Sequence, residues 1–573
     1  MIRLFDQHHI RFQKELEGYW DFSKASSKDT LPSSYDKKLY VPGCWESNIE
    51  LCDYRGYGIY KKNITIDTAS NLRLNFKGVS HTADVYLDGQ HITNHYNAFT
   101  EFSLVVPNVS KGNHTLVLVV DNTFTEDSSL HIPNDYYAYG GITRPVVMEI
   151  VPDVYIKHIQ FTPYMDKAKW QADIKIIVSN CSSMTKSVRL QLDLDDTLLE
   201  SDFSGQWINL PGNIEKTITT RIAFDNVHPW SPKNPYLYLL HAYLYEKDIT
   251  SPVDDLIERV GFRTIEVKGQ EILLNNTRIF MQGFNRHEDF NIAGCAIPMQ
   301  LAAIDMDIMT DLGSNAVRTS HYPNDERFLD MCDEKGILVW EENHARGLEL
   351  EQMLNPIFEK QCQDCIDEMV TSHYNHPSII LWGILNECAS DTKEGRRMYQ
   401  TQFEQIKTLD QSRPLTFATC KHFNDLCLDL VDLVSINIYH AWYQEGKTIQ
   451  ELEQAYLKEL EWIQSTDGKD KPIIISEFGG GAIYGYRAPY RPKWSEERQS
   501  DILKNCLTVY LNRPEIVGTF IWQFCDCRVT DEVWGVKRPR SQNNKGIVDE
   551  YRRPKLAYET VKQLYRDKAT GNE

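Results

Sequence analysis

The hydrophobic rhythm of this 573-residue chain changes once, near Arg263, and that change limits its fold more than any single motif does. Before it, short runs alternate apolar and polar residues between turn signals. Examples are Leu72-Arg73-Leu74-Asn75-Phe76, Ala83-Asp84-Val85-Tyr86-Leu87 ahead of Asp88-Gly89, and Leu116-Val117-Leu118-Val119-Val120. A period of two marks antiparallel sheets with one buried face. The rhythm continues from Val154 to Phe262, through Ala172-Asp173-Ile174-Lys175-Ile176-Ile177-Val178 and Val188-Arg189-Leu190-Gln191-Leu192-Asp193-Leu194. A chain of this length cannot close around one core. Two β-sandwiches in series are therefore expected, a jelly-roll-like one over 1–153 and an immunoglobulin-like one over 154–262.

After Arg263, short apolar strands alternate with amphipathic helical stretches. The strand candidates are Arg278-Ile279-Phe280-Met281, Ala316-Val317-Arg318, Ile337-Leu338-Val339-Trp340, Ile379 to Leu385, Leu415-Thr416-Phe417-Ala418, Leu433-Val434-Ser435-Ile436, Ile473-Ile474-Ile475 and Val517 to Trp522. Eight such units over 263–573 predict a (β/α)₈ TIM barrel, whose working groups stand at the C-terminal strand ends. Two glutamates fall there, Glu387 after the fourth strand and Glu477 after the seventh. Paired carboxyls at such positions suit hydrolysis of a glycosidic bond with retention, one donating a proton to the leaving oxygen and the other attacking the anomeric carbon. Two close carboxyls raise one another's proton affinity, so one can stay protonated near neutrality.

Composition removes several other classes of function. A net charge of −20 opposes nucleic-acid and anionic-membrane partners, which need a basic face. An anionic substrate would need a local cation. No apolar run approaches the length of a membrane span and the first residues lack an apolar leader core, so a cytoplasmic location is expected. The thirteen cysteines follow no repeating spacing and fit reduced thiols. Cys362-x-x-Cys365 has no second pair and reads as a chance spacing. His287-Glu288-Asp289 lacks the spacing of a helical zinc site. No metal or other cofactor is expected. Assembly as a homo-oligomer is expected, with its size left open.

Several longer motifs, in order along nearly the whole chain, resemble glycoside hydrolase family 2, the β-galactosidase, β-mannosidase and β-glucuronidase group. They are Val41-Pro42-Gly43, Gly261-Phe262-Arg263, Gly283 to Asp289, Asn315 to Pro323, His376-Pro377-Ser378 and the segments around Glu387 and Glu477. The resemblance implies a sugar-binding-like first sandwich, Glu387 as acid/base, Glu477 as nucleophile and Asn386 as donor to the sugar 2-hydroxyl. Asn543-Asn544-Lys545-Gly546 looks like the Asn-x-Lys motif with which β-glucuronidases grip the sugar carboxylate; a Lys⁺ and an amide N–H supply charge-assisted hydrogen bonds to an anion. By the same resemblance Tyr439 and Tyr443 would border the nucleophile and sugar, His321 and Trp522 would contact the sugar, and Asp135 would reach the barrel mouth from the first sandwich. His287-Glu288-Asp289 looks structural, and Cys388 reads as a buried, inert thiol.

The activity implied is that of a retaining exo-β-glucuronidase acting on small-molecule or oligosaccharide glucuronides. A β-galacturonidase or mixed uronidase is the nearest rival, because Asn-x-Lys reads the carboxylate and not the 4-hydroxyl. A β-galactosidase fits less well. A carbohydrate-binding protein on the same fold would have no use for a paired acid and nucleophile. Two departures from the family pattern stand out. No long insertion separates Glu341-Glu342 from a helix expected near Asn355, which predicts an open mouth. The stretch from Trp534 to Arg540 does not follow the better-known pattern, so it leaves open which arginine assists Lys545.

Overall fold

The computed structural model describes residues 2–28, 31–444, 448–532, 535 and 537–570. Its first sandwich pairs a four-stranded antiparallel sheet (Phe12–Glu15, Val146–Val151, Ser70–Phe76, Phe102–Val109) with a six-stranded one running from Lys37–Val41 to Gln90–Tyr96. The alternation read from the sequence is what fills the space between them. In Thr82–Leu87 it is Ala83, Val85 and Leu87 that turn inward, to meet Leu72, Leu74 and Phe76 of the facing sheet. The second sandwich sets a three-stranded sheet (Val154–Asp166, Lys169–Asn180, Ile214–Phe224) against a five-stranded one that includes Lys186–Leu194, Tyr238–Glu246 and Asp254–Val260. Its core is aliphatic, with Phe161 and Phe262 packed edge to face.

Between sandwich and barrel the chain forms a small antiparallel sheet, Ile265–Lys268, Glu271–Leu274 and Thr277–Arg278. This corrects the expected first barrel strand. Arg278 is exposed and belongs to this ladder, and the first parallel strand is Met281–Asn285. The reason lies in packing: Ile272 and Leu274 join Trp230 and Met281 in one buried cluster with the lower barrel interior.

The barrel then runs through Ala316–Arg318, Leu338–Glu342, Ile379–Gly383, a broken fifth strand, Val434–Asn437, Ile473–Phe478 and Ile516–Ile521, every pairing parallel. These strands are buried on both faces, as parallel strands under helices must be. The fifth splits at Phe417. Leu415–Thr416 pairs with the fourth strand and Ala418–Thr419 with the sixth. Helices follow most strands, with starts set by side-chain caps such as Asp325 and Thr392. A loop, 420–433, replaces the helix that would follow the fifth strand. After the third strand a single turn, Leu350–Met353, precedes the helix Phe358–Ser372, which starts three residues later than expected. Cys362 and Cys365 both lie buried in that helix.

First sandwich and barrel meet through buried polar contacts. Arg144 donates to Glu288 at 2.7 Å, and the Tyr139 hydroxyl to Asp289 at 2.8 Å. The Glu288-Asp289 segment thus fastens the two parts together, which agrees with its reading as structural. Among the described residues no helix is long and apolar enough to cross a membrane.

Candidate active site

Glu387 and Glu477 open on one cavity of about 240 Å³ at the C-terminal face of the barrel. Glu477 lies inside the seventh strand, one residue before its end, rather than just past it. Glu387 lies four residues beyond the fourth strand, in a turn where Leu385 and Glu387 itself take φ of 47° and 55°. Left-handed backbone at a leucine and a glutamate stores strain. A backbone hydrogen bond from Glu387 to the Ala418 carbonyl, 2.9 Å, holds the turn against the fifth strand.

The two carboxyls have different surroundings. Glu477 accepts from Arg318 Nη1 at 3.0 Å and from the Tyr439 hydroxyl at 2.6 Å, and its side chain is 3% exposed. Glu387 accepts from Asn437 Nδ2 at 2.9 Å, has Arg346 Nη2 at 3.4 Å, and is 17% exposed. Burial and the neighbouring Glu387 carboxylate push Glu477 up to about 7, against the pull of Arg318, Tyr439 and Arg346. Two strong donors are aimed at Glu477 and stabilise its negative charge once it is ionised.

Arg318, at the end of the second strand, is the hub. It forms a fork on Glu342 (2.9 Å twice) and donates to Glu477, to Asn285 Oδ1 (3.0 Å) and to Asn386 Oδ1 (2.8 Å). With its oxygen so engaged, Asn386 keeps a buried NH₂ that among the described residues has no partner. His321 is similar. Burial, then Arg318, hold its pKa well below the ordinary value, so it is neutral, and Nδ1 donates to Glu342 at 2.7 Å. Its Nε2 is then an acceptor, buried and unpartnered, 3.8 Å from Glu477. Trp522 stacks on the imidazole with ring centroids 5.0 Å apart. A donor and an acceptor left open beside two carboxyls fit a polyhydroxylated ligand.

The opposite wall is cationic. Lys545 is 2% exposed, and its Nζ lies 3.4 Å from Asn543 Oδ1. Among the described residues it makes no ion pair with a carboxylate. Its ammonium stands 5.4 Å from the Tyr443 ring and 5.9 Å from that of Tyr439. Gly546 follows because a side chain would strike Asp526 N and Val548 O, each 2.3 Å from the Cβ position. Asp135 does reach the barrel mouth from the first sandwich. It binds Arg538 through two nitrogens, at 2.9 and 2.5 Å, and accepts from Asn543 Nδ2 at 2.8 Å. Arg538 also donates to the Tyr443 hydroxyl at 3.0 Å. Burial raises the proton affinity of Tyr443, but Lys545 and Arg538 outweigh it and leave the phenol below its ordinary pKa. Arg538 and Lys545 thus converge on Tyr443. In the same stretch, Trp534 and Val536 lie outside the described residues.

All ten residues singled out in the sequence surround this cavity or hold those that do. Sequence reasoning missed Arg318, Glu342, Arg346 and Asn437 as site residues. The signal for Arg318 and Glu342 was a charged residue ending an apolar strand; Arg346, in the short loop after the third strand, gave none. Cys388 is buried, with its thiol pushed up to about 12 by burial, in line with an inert thiol.

The family model described as glycosyl hydrolases family 2, TIM barrel domain, matches residues 265–569, more than half of the chain. This chain belongs to glycosyl hydrolase family 2. Two further family-2 models match the sandwiches, the galactose-binding domain-like one over 45–160 and the one described as glycosyl hydrolases family 2 over 154–263. A β-glucuronidase of Streptococcus agalactiae is 28% identical, with 96% of each chain covered. A family-2 β-galacturonidase from Eisenbergiella tayi, solved bound to galacturonate, is 46% identical, with a TM-score of 0.93 and 99% of each chain covered. A β-D-glucuronidase of Dictyoglomus thermophilum is 27% identical, with a TM-score of 0.84 and 98% of each chain covered.

Proposed function

We propose that this family-2 hydrolase is a retaining, exo-acting β-uronidase that releases glucuronic acid from β-D-glucuronides. The observation that carries the substrate class is Lys545, a buried ammonium with no carboxylate partner among the described residues, in the same cavity as Glu387 and Glu477. A buried charge left alone costs several kcal/mol, so such a site favours a ligand that brings the opposite charge. In a chain of net charge −20, Lys545, Asn543 and Arg538 form a local cationic pocket for a sugar carboxylate.

In this reading Glu477 attacks the anomeric carbon while Glu387 gives its proton to the leaving oxygen. A covalent glycosyl-enzyme forms and the aglycone departs. Glu387, now ionised, takes a proton from water, which displaces Glu477 and restores both groups. The free NH₂ of Asn386 donates to the 2-hydroxyl, and His321 Nε2 accepts from a sugar hydroxyl. Tyr439 and Arg318 hold the charge on Glu477 until it attacks. Acidic pH is then inhibitory, because Glu477 must be ionised and its proton affinity is raised. In Tyr439→Phe the hydroxyl donor to Glu477 is gone, so its proton affinity should rise further and the acid limb of kcat/KM on an activated aryl uronide should move to higher pH. An unmoved limb would show that Tyr439 does not hold the charge on Glu477.

One specific observation favours a second reading, β-galacturonide hydrolysis: the galacturonate-bound relative at 46% identity, against 28% for the β-glucuronidase of Streptococcus agalactiae. The carboxylate grip is the same for both sugars, which differ only at the 4-hydroxyl. kcat/KM for 4-nitrophenyl β-D-glucuronide, galacturonide and galactoside separates the readings. Both uronides should exceed the galactoside; a galactoside preference would remove the role of Lys545. The same proposal includes a cytoplasmic location in carbohydrate metabolism, supported by thirteen unbridged cysteines, and homo-oligomeric assembly.

A further inference from the structure

Behind Glu387 runs a chain of hydrogen bonds that the steps above do not use. The loop that replaces the barrel's fifth helix carries His422, which lines the same cavity as Glu387. Its Nε2 lies 2.9 Å from the Asn437 carbonyl oxygen, and its Nδ1 lies 2.8 Å from a carboxylate oxygen of Glu459 on the helix Ile449–Gln464. A carbonyl and a carboxylate are both acceptors. Both ring nitrogens must therefore donate, and the ring that satisfies them is an imidazolium. Besides Glu459, the titratable groups facing this ring are Glu387, His440 and its chain neighbour Lys421. Burial pushes His440 down to about 4, so it is neutral, while the Glu459 carboxylate outweighs burial at His422 and raises its pKa.

Asn437 ends the sixth strand and is held on three sides. Its carbonyl accepts from His422, its side-chain oxygen accepts from Ser476 Oγ at 2.7 Å, and its NH₂ donates to Glu387 Oε1 at 2.9 Å. An oxygen that accepts from an amide is a poor place for a proton. Oε2 has the longer contact, 3.4 Å to Arg346 Nη2, so the closer bond from Asn437 reserves Oε1 as the acceptor and leaves the acidic proton of Glu387 to Oε2.

We propose that His422 is a positioning residue for leaving-group protonation: as an imidazolium it fixes Asn437, and Asn437 fixes which oxygen of Glu387 carries the proton. This rests on Glu387 being the acid. It follows that His422 matters in proportion to how much the leaving group needs a proton. A neutral ring can serve only one of its two acceptors. The charge-assisted bond to Glu459 is the stronger, so the link to Asn437 is the one given up as pH rises.

The test sets an aryl uronide with an activated nitrophenolate leaving group beside a methyl or disaccharide uronide, whose alkoxide cannot leave unprotonated. His422→Ala should lose about 10- to 100-fold in kcat/KM on the poor leaving group and less than about threefold on the activated one, a part of the 10²–10⁴-fold that a general acid supplies. His422→Gln, whose amide can still donate to Asn437, should recover most of the loss. In Glu459→Gln a neutral His422 can satisfy both neighbours, accepting from the amide and donating to Asn437. The alkaline limb on the poor leaving group should then extend to higher pH. Equal losses on both substrates in His422→Ala, or an unmoved limb in Glu459→Gln, would overturn the positioning role. Glu387→Ala is the control for the underlying assignment. It should show the same split more strongly, and a uniform loss there would sink Glu387 as the acid rather than His422 as its support.

Discussion

Glu477→Ala is expected to lower kcat on an aryl β-uronide by a factor on the order of 10⁴–10⁶, the scale lost when a covalent catalyst loses its nucleophile. The fold should survive the change. Arg318 keeps its fork on Glu342 and its bonds to Asn285 and Asn386, and Tyr439 needs only a new acceptor for its hydroxyl. The loss should therefore fall on kcat, with the melting temperature close to wild type. Added azide should restore part of the turnover, because a small anion can enter the space vacated beside Arg318 and attack the anomeric carbon in place of the carboxylate. The product would be the glycosyl azide of inverted configuration. Activity within tenfold of wild type would remove Glu477 from the mechanism.

Lys545→Ala is expected to raise the barrier for uronides by about 2–4 kcal/mol, roughly 30- to 1,000-fold in kcat/KM, and to leave the weak galactoside activity unchanged or improved. The selectivity follows from the partners. Lys545 lies against the amide of Asn543 and against Tyr439 and Tyr443, and among the described residues it pairs with no carboxylate, so its removal strands none. Arg538 is different. It is clamped on Asp135, and Arg538→Ala would leave a buried carboxylate unpaired next to an anionic sugar. That variant should lose activity on uronides and lose thermal stability as well. An equal loss on all three sugars in Lys545→Ala would mean that the lysine supports the fold of the site and does not read the substrate.

Much of this architecture is written in local patterns. The sandwiches follow from a period of two, and the barrel from apolar strands spaced by amphipathic helices, since buried backbone must be paired and buried faces must be apolar. Glu387, Glu477, Asn543 and Lys545 were legible because each lies in a short motif at a strand end or loop where the fold brings it to the mouth. Arg278 misled because an apolar run of four serves equally in a barrel strand or in the small sheet beneath it, and only the packing of Ile272 and Leu274 decides between them. Arg318, Arg346 and Arg538 could not be assigned for a different reason. Each acts by converging with residues distant in the sequence, such as Arg346 with Glu387, 41 positions away, and Arg538 with Asp135, 403 positions away, and single-chain patterns carry no such distances. The strained turn at Leu385 and Glu387 was equally invisible, because neither residue type favours the left-handed region.

Trapping the intermediate tests the central proposal most directly. A 2-deoxy-2-fluoro-β-uronosyl fluoride has a leaving group that departs without acid help and a ring that resists the second displacement. Incubated with the enzyme, it should add the mass of one fluorouronosyl unit, located by peptide mapping on Glu477. The matched neutral galactosyl fluoride should label far more slowly. Labelling of another residue, no adduct while the reagent is turned over, or faster labelling by the neutral sugar would contradict a uronate-reading, double-displacement site built on Glu477 and Lys545.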